Sequence, residues 1–240
     1  MAPDRRLSGY VDHVRVVSHG SECEPYVRLP DGQVELIARL GDGGASLSVV
    51  GTRSFALSKA STPFAESVIV RFKPGRAFPF FGVPVEKLTD RVVPLDELRC
   101  SLEASLLETL RASTPVARAH ALQDALCREL AAPAFEPVGV PVVRRALEAI
   151  STAIHLPRVA ELARELGVSE RHLRRAFGEV VGLTPKEYLR VARFRRALRH
   201  ARRARGSSWT RIAHEHGYYD QAHLNAEFRA LTGRAPRNLR

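Results

Sequence analysis

The sequence predicts an α+β chain. A small β-rich, barrel-like N-terminal domain with two following helices precedes an all-α half built from one helical unit used twice. Three observations predict it. Short β-branched runs separated by turn residues fill roughly the first eighty positions. The apolar period then changes near Pro94 to helical spacing. Beyond residue 160, a set of apolar, glycine and proline positions recurs about fifty residues later.

The 240 residues suit one large or two modest domains. A 45% hydrophobic and 26% charged composition is that of an ordinary globular chain and excludes the disordered class. No apolar run approaches the roughly 20 residues that span a bilayer. The opening MAPDRRLSGY lacks the apolar stretch of a secretory signal, so no membrane partner and a cytoplasmic location are expected. Cys23, Cys100 and Cys127 are scattered, without CxxC or Cys/His ligand spacing, so no metal, cofactor or disulfide framework is expected.

Taken in order, Tyr10–Val17 reads as a strand. Val34–Leu40 and Ala45–Val50 flank Gly41-Asp42-Gly43-Gly44 as a hairpin. Ser67–Phe72 is a further strand, stopped by Lys73-Pro74-Gly75. Leu95, Leu98, Leu102, Leu106, Leu107 and Leu110 predict an amphipathic helix of about four turns. Its wide leucine stripe is a candidate surface for self-association. Thr114-Pro115 opens a second helix through Leu122, Leu126 and Leu130. Ala131–Pro141 carries three prolines and a glycine, so domains are expected at 1–135 and 142–240 with a linker at 136–141.

Charge divides at the same place. From Val140 to Arg240 there are 21 Lys/Arg against nine Asp/Glu, a net of +12, whereas residues 1–139 carry 16 against 17. Such a concentrated field suits a polyanion, bound through phosphate neutralisation and counterion release.

The repeat lies inside that basic half. Leu162, Ala163 and Gly167 recur as Ile212, Ala213 and Gly217; Leu173, Phe177, Gly182 and Pro185 recur as Leu224, Phe228, Gly233 and Pro236. Each copy is a short helix, a glycine turn and a second helix opened by a capping residue, Ser169 or Asp220. That order is the helix-turn-helix. Leu173/Phe177 and Leu224/Phe228, four apart, face the core, leaving Arg171, His172, Arg174 and Arg175 outward in the first copy. Arginine can fork onto guanine O6 and N7 or clamp phosphate. The second copy offers Gln221, His223 and Asn225, of which the amides of Gln221 and Asn225 suit adenine N6 and N7. Between the copies, Thr184-Pro185-Lys186-Glu187 opens a long helix with a capping box, and its other face carries an arginine run that includes Arg190 and Arg193. A few of these are expected to touch DNA backbone and most to be solvated.

Residues 159–240 resemble the DNA-binding domain of the arabinose-regulator (AraC/XylS) family over both turns and both Gly-x-x-Pro endings. The resemblance implies two helix-turn-helix modules on one linker helix reading a long, asymmetric site. The base-reading places fall on Arg171, Arg174 and Arg175, and on Gln221, Ala222, His223 and Ala226. Ala226 departs from the family, which usually keeps arginine there. Residues 1–135, through VRFKPGRAFPFFGVPVEKLTDRVVPLDEL, resemble a sensor-type half found on some members, with an effector-binding barrel and dimerising helices. The HxH-plus-Glu set of metal-binding barrels is absent, since His13 and His19 stand alone. Phe72 and Phe78, among Phe55, Phe64, Phe80 and Phe81, are candidates either for a pocket or for the core, with Arg71 or Arg76 placed to meet an acidic effector.

The expected function is a sequence-specific transcriptional regulator. Double-stranded DNA, RNA polymerase, a small-molecule effector and a second copy are its candidate partners. A DNA-repair enzyme fused to such a reader is the second reading, although Cys23 and Cys100 lack a neighbour to activate a thiolate. A general architectural DNA binder is the third.

Overall fold

The β-branched runs of the N-terminal half become consecutive neighbours in one antiparallel sheet. The computed structural model describes residues 1–18, 26–41, 44–59, 64–98, 102, 104–112, 114–131, 137–204 and 206–239. Strands β1 (Val11–Ser18), β3 (Glu35–Gly41), β4 (Gly44–Val50), β6 (Glu66–Phe72) and β7 (Val92–Pro94) form a sheet in the order β1-β6-β3-β4-β7. A ribbon of β2 (Tyr26–Arg28) and β5 (Leu57–Lys59) lies beside it. The β3–β4 hairpin pairs Glu35 with Val50 through to Gly41 with Gly44; its tip at Asp42 and Gly43 lies outside the described residues.

Alternation sorts the strand residues between two faces. Leu36, Ala38, Leu47, Val49, Val68 and Val70 share one face with Phe72, and all are buried. Phe72 packs there against Phe80 at 5.0 Å and Phe81 at 5.5 Å. Ile37, Val50 and Ile69 form a smaller cluster on the other face, with Leu57 of the ribbon against it. Glu35 and Arg71 are cross-strand neighbours on that face as well. Buried apolar side chains therefore occur on both faces of the sheet.

The leucine stretch folds in two pieces rather than one four-turn helix. Leu95–Glu97 is a 3-10 turn that ends at Leu98 in extended conformation (φ −100°, ψ 144°), and α1 spans only Ala104–Ala112. Leu102, Leu106 and Leu110 are at most 4% exposed, because α1 packs on β4 and on α2 (Pro115–Ala131). The stripe singled out for self-association is therefore core.

The all-α half holds α3 (Val140–Thr152), α4 (Val159–Leu166), α5 (Glu170–Val181), α6 (Pro185–Arg203), α7 (Trp209–Glu215) and α8 (Gln221–Thr232). Helix α3 begins two residues inside the expected linker, with Pro141 in its first turn, where proline lacks no needed hydrogen bond. Residues 132–136 lie outside the described residues. The apolar core does not divide at this linker. One contiguous cluster joins the sheet, α1, α2 and the first helix-turn-helix from Val143 to Val181. A second cluster joins the far end of α6 (Val191, Phe194, Leu198) with Ile212, Leu224 and Phe228.

Candidate nucleic-acid interface

Local chemistry builds the two reading helices in the same way. Gly167 and Gly217 turn the chain at φ 70° and 72°, in the left-handed region that a side chain disfavours. Ser169 Oγ accepts from His172 N–H at 3.2 Å, and Asp220 Oδ1 accepts from His223 N–H at 2.7 Å, each capping the helix that follows. Leu173, Phe177, Val180 and Val181 bury one face of α5, while Leu224, Phe228 and Leu231 bury one face of α8.

The opposite faces are open. Arg171, Arg174 and Arg175 are exposed on α5, and His172 is half-buried beside them. Arg175 makes only a loose contact with Glu179 one turn on, at 3.8 Å. Such exposed pairs hold little free energy, so the guanidinium is available to another acceptor. On α8, Gln221, Ala222, His223 and Ala226 are exposed and Asn225 is half-buried. Gln221 Oε1 accepts from Thr210 Oγ1 at 2.8 Å, which turns its amide donors outward. His223 Nδ1 lies 3.2 Å from the Tyr219 N–H and accepts from it. With Nδ1 accepting, Nε2 is the donor of the ring, suited to guanine N7 or phosphate.

The arginines of α6 have a different employment from the one their sequence suggests. Arg193 forks onto buried Glu227 of α8 (Nε–Oε1 3.3 Å, Nη2–Oε2 2.8 Å), and Arg190 Nε stands 3.5 Å from the same carboxylate. Arg193 also lies over the Tyr218 ring at 4.9 Å. Both guanidiniums thereby tie the second reading helix to the linker helix, since a buried carboxylate requires paired donors, while their side chains remain 40% and 29% exposed. Arg196 donates to the Ile150 carbonyl at 2.6 Å and Arg202 to the Leu239 carbonyl at 3.1 Å.

The N-terminal half reaches the far ends of both reading helices. Thr52 Oγ1 donates to the Val181 carbonyl at 2.7 Å and Thr89 Oγ1 to the Gly182 carbonyl at 2.6 Å, at the C-terminal end of α5. Gly182 is at φ 83°, and a Cβ there would stand 2.6 Å from Thr89 Oγ1. The Ala56 N–H donates to the Leu231 carbonyl near the end of α8 at 2.7 Å. These are carbonyls that a helix end leaves without an intrahelical partner. Asp90 holds the donor loop in shape, accepting from Ser54 N–H at 2.9 Å and Ser54 Oγ at 2.5 Å.

The effector residues proposed from sequence are not brought together. Arg71 and Phe72 are adjacent on β6 and so point to opposite faces of the sheet. Phe72 is fully buried and Phe78 is 8% exposed, both in the core cluster. Arg76 is half-buried in the turn after β6. Arg71 instead meets Asp31 and Glu35. Three features escaped the sequence reading: the capping loop from Thr52 to Ala56, the Glu227 anchor, and Tyr219. Tyr219 is 92% exposed immediately before the α8 cap. An aromatic next to a helix cap in a basic domain was a legible signal for it.

Two tandem helix-turn-helix units with open basic or amide-bearing faces define the class: a DNA-binding transcriptional regulator. Comparison with known domains agrees, since residues 162–240 match a helix-turn-helix domain and residues 1–94 match a domain of unknown function, DUF6597. Residues 162–240 thus carry a helix-turn-helix domain, and AraC-type DNA-binding proteins are among the solved structures that the chain is similar to. A search of curated protein sequences finds no match. Among solved structures, an AraC-type regulator from Chromobacterium violaceum is 25% identical, covering 42% of this chain and 89% of its own, with a TM-score of 0.39. Fatty-acid-bound ToxT from Vibrio cholerae is 11% identical over 94% of this chain and 93% of its own, with a TM-score of 0.48. CdpR from Pseudomonas aeruginosa is 20% identical over 73% and 45%, with a TM-score of 0.35. No described helix is long and apolar enough to cross a membrane.

Proposed function

We propose that α5 and α8 read bases in the DNA major groove, with Arg171, Arg174 and Arg175 as the main readers. Gln221, Ala222, His223 and Asn225 form the weaker second head, and Ser169 presents the start of the first. The N-terminal half sets the relative pose of the two heads and so couples an effector to DNA binding. The observation that carries this reading is that both outward faces are open while both far ends hydrogen-bond to the same domain. A helix held at its C-terminal end and free on its outer face can be re-aimed without losing its readers. RNA polymerase contact and self-association are further proposals, and the latter no longer has the leucine stripe of α1 to rest on.

Of the three cysteines, Cys127 lies among the described residues. Cys127 is buried, and burial pushes its pKa up, away from a reactive thiolate. Cys23 and Cys100 lie outside the described residues. The deciding measurement is affinity of the full chain across single-base-pair variants of one mapped site at fixed salt. A regulator discriminates by orders of magnitude between specific and random sequence, whereas an architectural binder shows little gap.

A further inference from the structure

A cleft of about 560 Å³ opens between the sheet domain and α6, and no residue of α5 or α8 lines it. That volume lies within the range of small-molecule sites. Its walls come from both halves of the chain: Arg15, Arg28 and Arg71 on one side, and Arg195, Arg199 and Arg203 on the other. Asp31 is the one carboxylate among the lining residues, and it is already held by Arg28 at 3.5 Å and by Arg71. Beneath it, buried Glu35 lies 3.4 Å from each of the same two guanidiniums. Two carboxylates thus balance Arg28 and Arg71. Arg15, Arg195, Arg199 and Arg203 have no carboxylate within 4.0 Å among the described residues. Arg195 gives one hydrogen bond across the cleft, Nη1 to the Asp31 carbonyl at 3.1 Å, and burial holds its pKa below the usual arginine value.

We propose that this cleft binds a small organic phosphate of nucleotide size, carrying at least two phosphate charges. The guanidinium fork matches phosphate oxygens in bidentate pairs, and four uncompensated forks call for more negative charge than one carboxylate supplies. Val27 and Leu29, both half-buried, add an apolar wall for the body of such a ligand. Bound there, it ties the domain that caps the reading helices to the helix that joins them. The proposal rests on the reading of the N-terminal half as a sensor, and it is independent of which residues read bases.

The test is calorimetric titration of the full chain at one salt concentration, with ADP, pyrophosphate, orthophosphate and decanoate as probes. ADP and pyrophosphate are expected to saturate a single site and to bind more tightly than orthophosphate or decanoate. Arg15→Gln and Arg199→Gln, both at exposed side chains, are each expected to weaken that binding about tenfold, the usual worth of one charged hydrogen bond. The ligand-free melting midpoint should be unchanged in both variants. Absence of saturable binding by ADP and pyrophosphate, or unaltered affinity in the variants, overturns the proposal. So does tighter binding of decanoate, which would make the cleft a carboxylate site. A loss of DNA affinity in Arg15→Gln as large as in Arg174→Ala would make it a DNA-backbone contact instead. Failure of the base-reading assignment would show separately, as unchanged selectivity in Arg174→Ala.

Discussion

The hydroxyl of Thr52 donates to the carbonyl of Val181 at 2.7 Å, joining the N-terminal sheet domain to the end of the first reading helix across 129 residues of sequence. Thr52 is fully buried and Val181 is 1% exposed, so water cannot replace the donor. Thr52→Val keeps the shape and strands the acceptor. It should cost about 1–3 kcal/mol, whereas Thr52→Ser should cost less. Denaturant unfolding measures the difference, and amide exchange at the end of α5 should rise only in the valine variant. Equal stability of the two variants would show that the bond does not hold the domains.

The unequal chemistry of the two heads predicts unequal selectivity. A good bidentate arginine–guanine pair is worth roughly 1–3 kcal/mol of discrimination, whereas Ala226 can offer only a methyl contact. Arg174→Ala or Arg175→Ala should therefore relax selectivity at defined guanines, and His223→Ala or Asn225→Ala should cost less. Restoring arginine at position 226 should tighten binding. Larger penalties for base changes under α8 than under α5, in a site-variant library at fixed salt, would reverse this ranking.

Glu227 never needs to touch DNA to matter. Removing it as Glu227→Ala leaves Arg193 without its fork and frees α8 from α6, with a stability loss of about 1–3 kcal/mol after allowance for the partly exposed arginines. The expected signature is lost sensitivity to the half-site under α8 with retained sensitivity under α5. Equal weakening at both half-sites would point to global unfolding rather than a loosened second head.

The second module should also respond to acid. His216 Nε2 lies 3.2 Å from His200 Nδ1. Burial first, and the nearby His200 second, hold the His216 pKa below the usual histidine value of 6.5. Glu215 opposes this weakly and Arg196 adds to it. The unfolded chain therefore binds more protons than the folded one as pH falls below about 6.5, so stability is full above that value and declines below it. The lowered pKa of half-buried His13, again from burial, acts in the same direction. His216→Gln should flatten part of the fall in melting midpoint between about pH 7 and 5. An identical pH profile in the variant would remove His216 from the account.

Leu106 is 2% exposed in the core between α1, β4 and α2. Leu106→Ala should cost about 2–5 kcal/mol, and a polar residue there should unfold the N-terminal half rather than yield a folded monomer. Circular dichroism with sedimentation separates the outcomes. A folded variant of lower mass would restore the leucine stripe as an association surface.

What the sequence determined by itself lies mostly within short windows. The repeat of Leu173, Phe177 and Gly182 in Leu224, Phe228 and Gly233 announced both helix-turn-helix units, because their turns, caps and buried stripes depend on neighbours three or four residues away. The strands were legible for the same reason, through alternation and β-branching. Tertiary structure decided the rest. Leu102 and Leu106 have the same spacing whether a helix face meets solvent or β4, so burial was not readable from period alone. That Arg190 and Arg193 also pair with Glu227, more than thirty residues on, is visible only once the fold places the carboxylate beside them. Arg71 and Phe72, adjacent in sequence, part company because a strand sends successive side chains to opposite faces. The arginine cleft and the Thr52–Val181 bond exist only because chain segments remote in sequence meet in space, and no local pattern encodes that meeting.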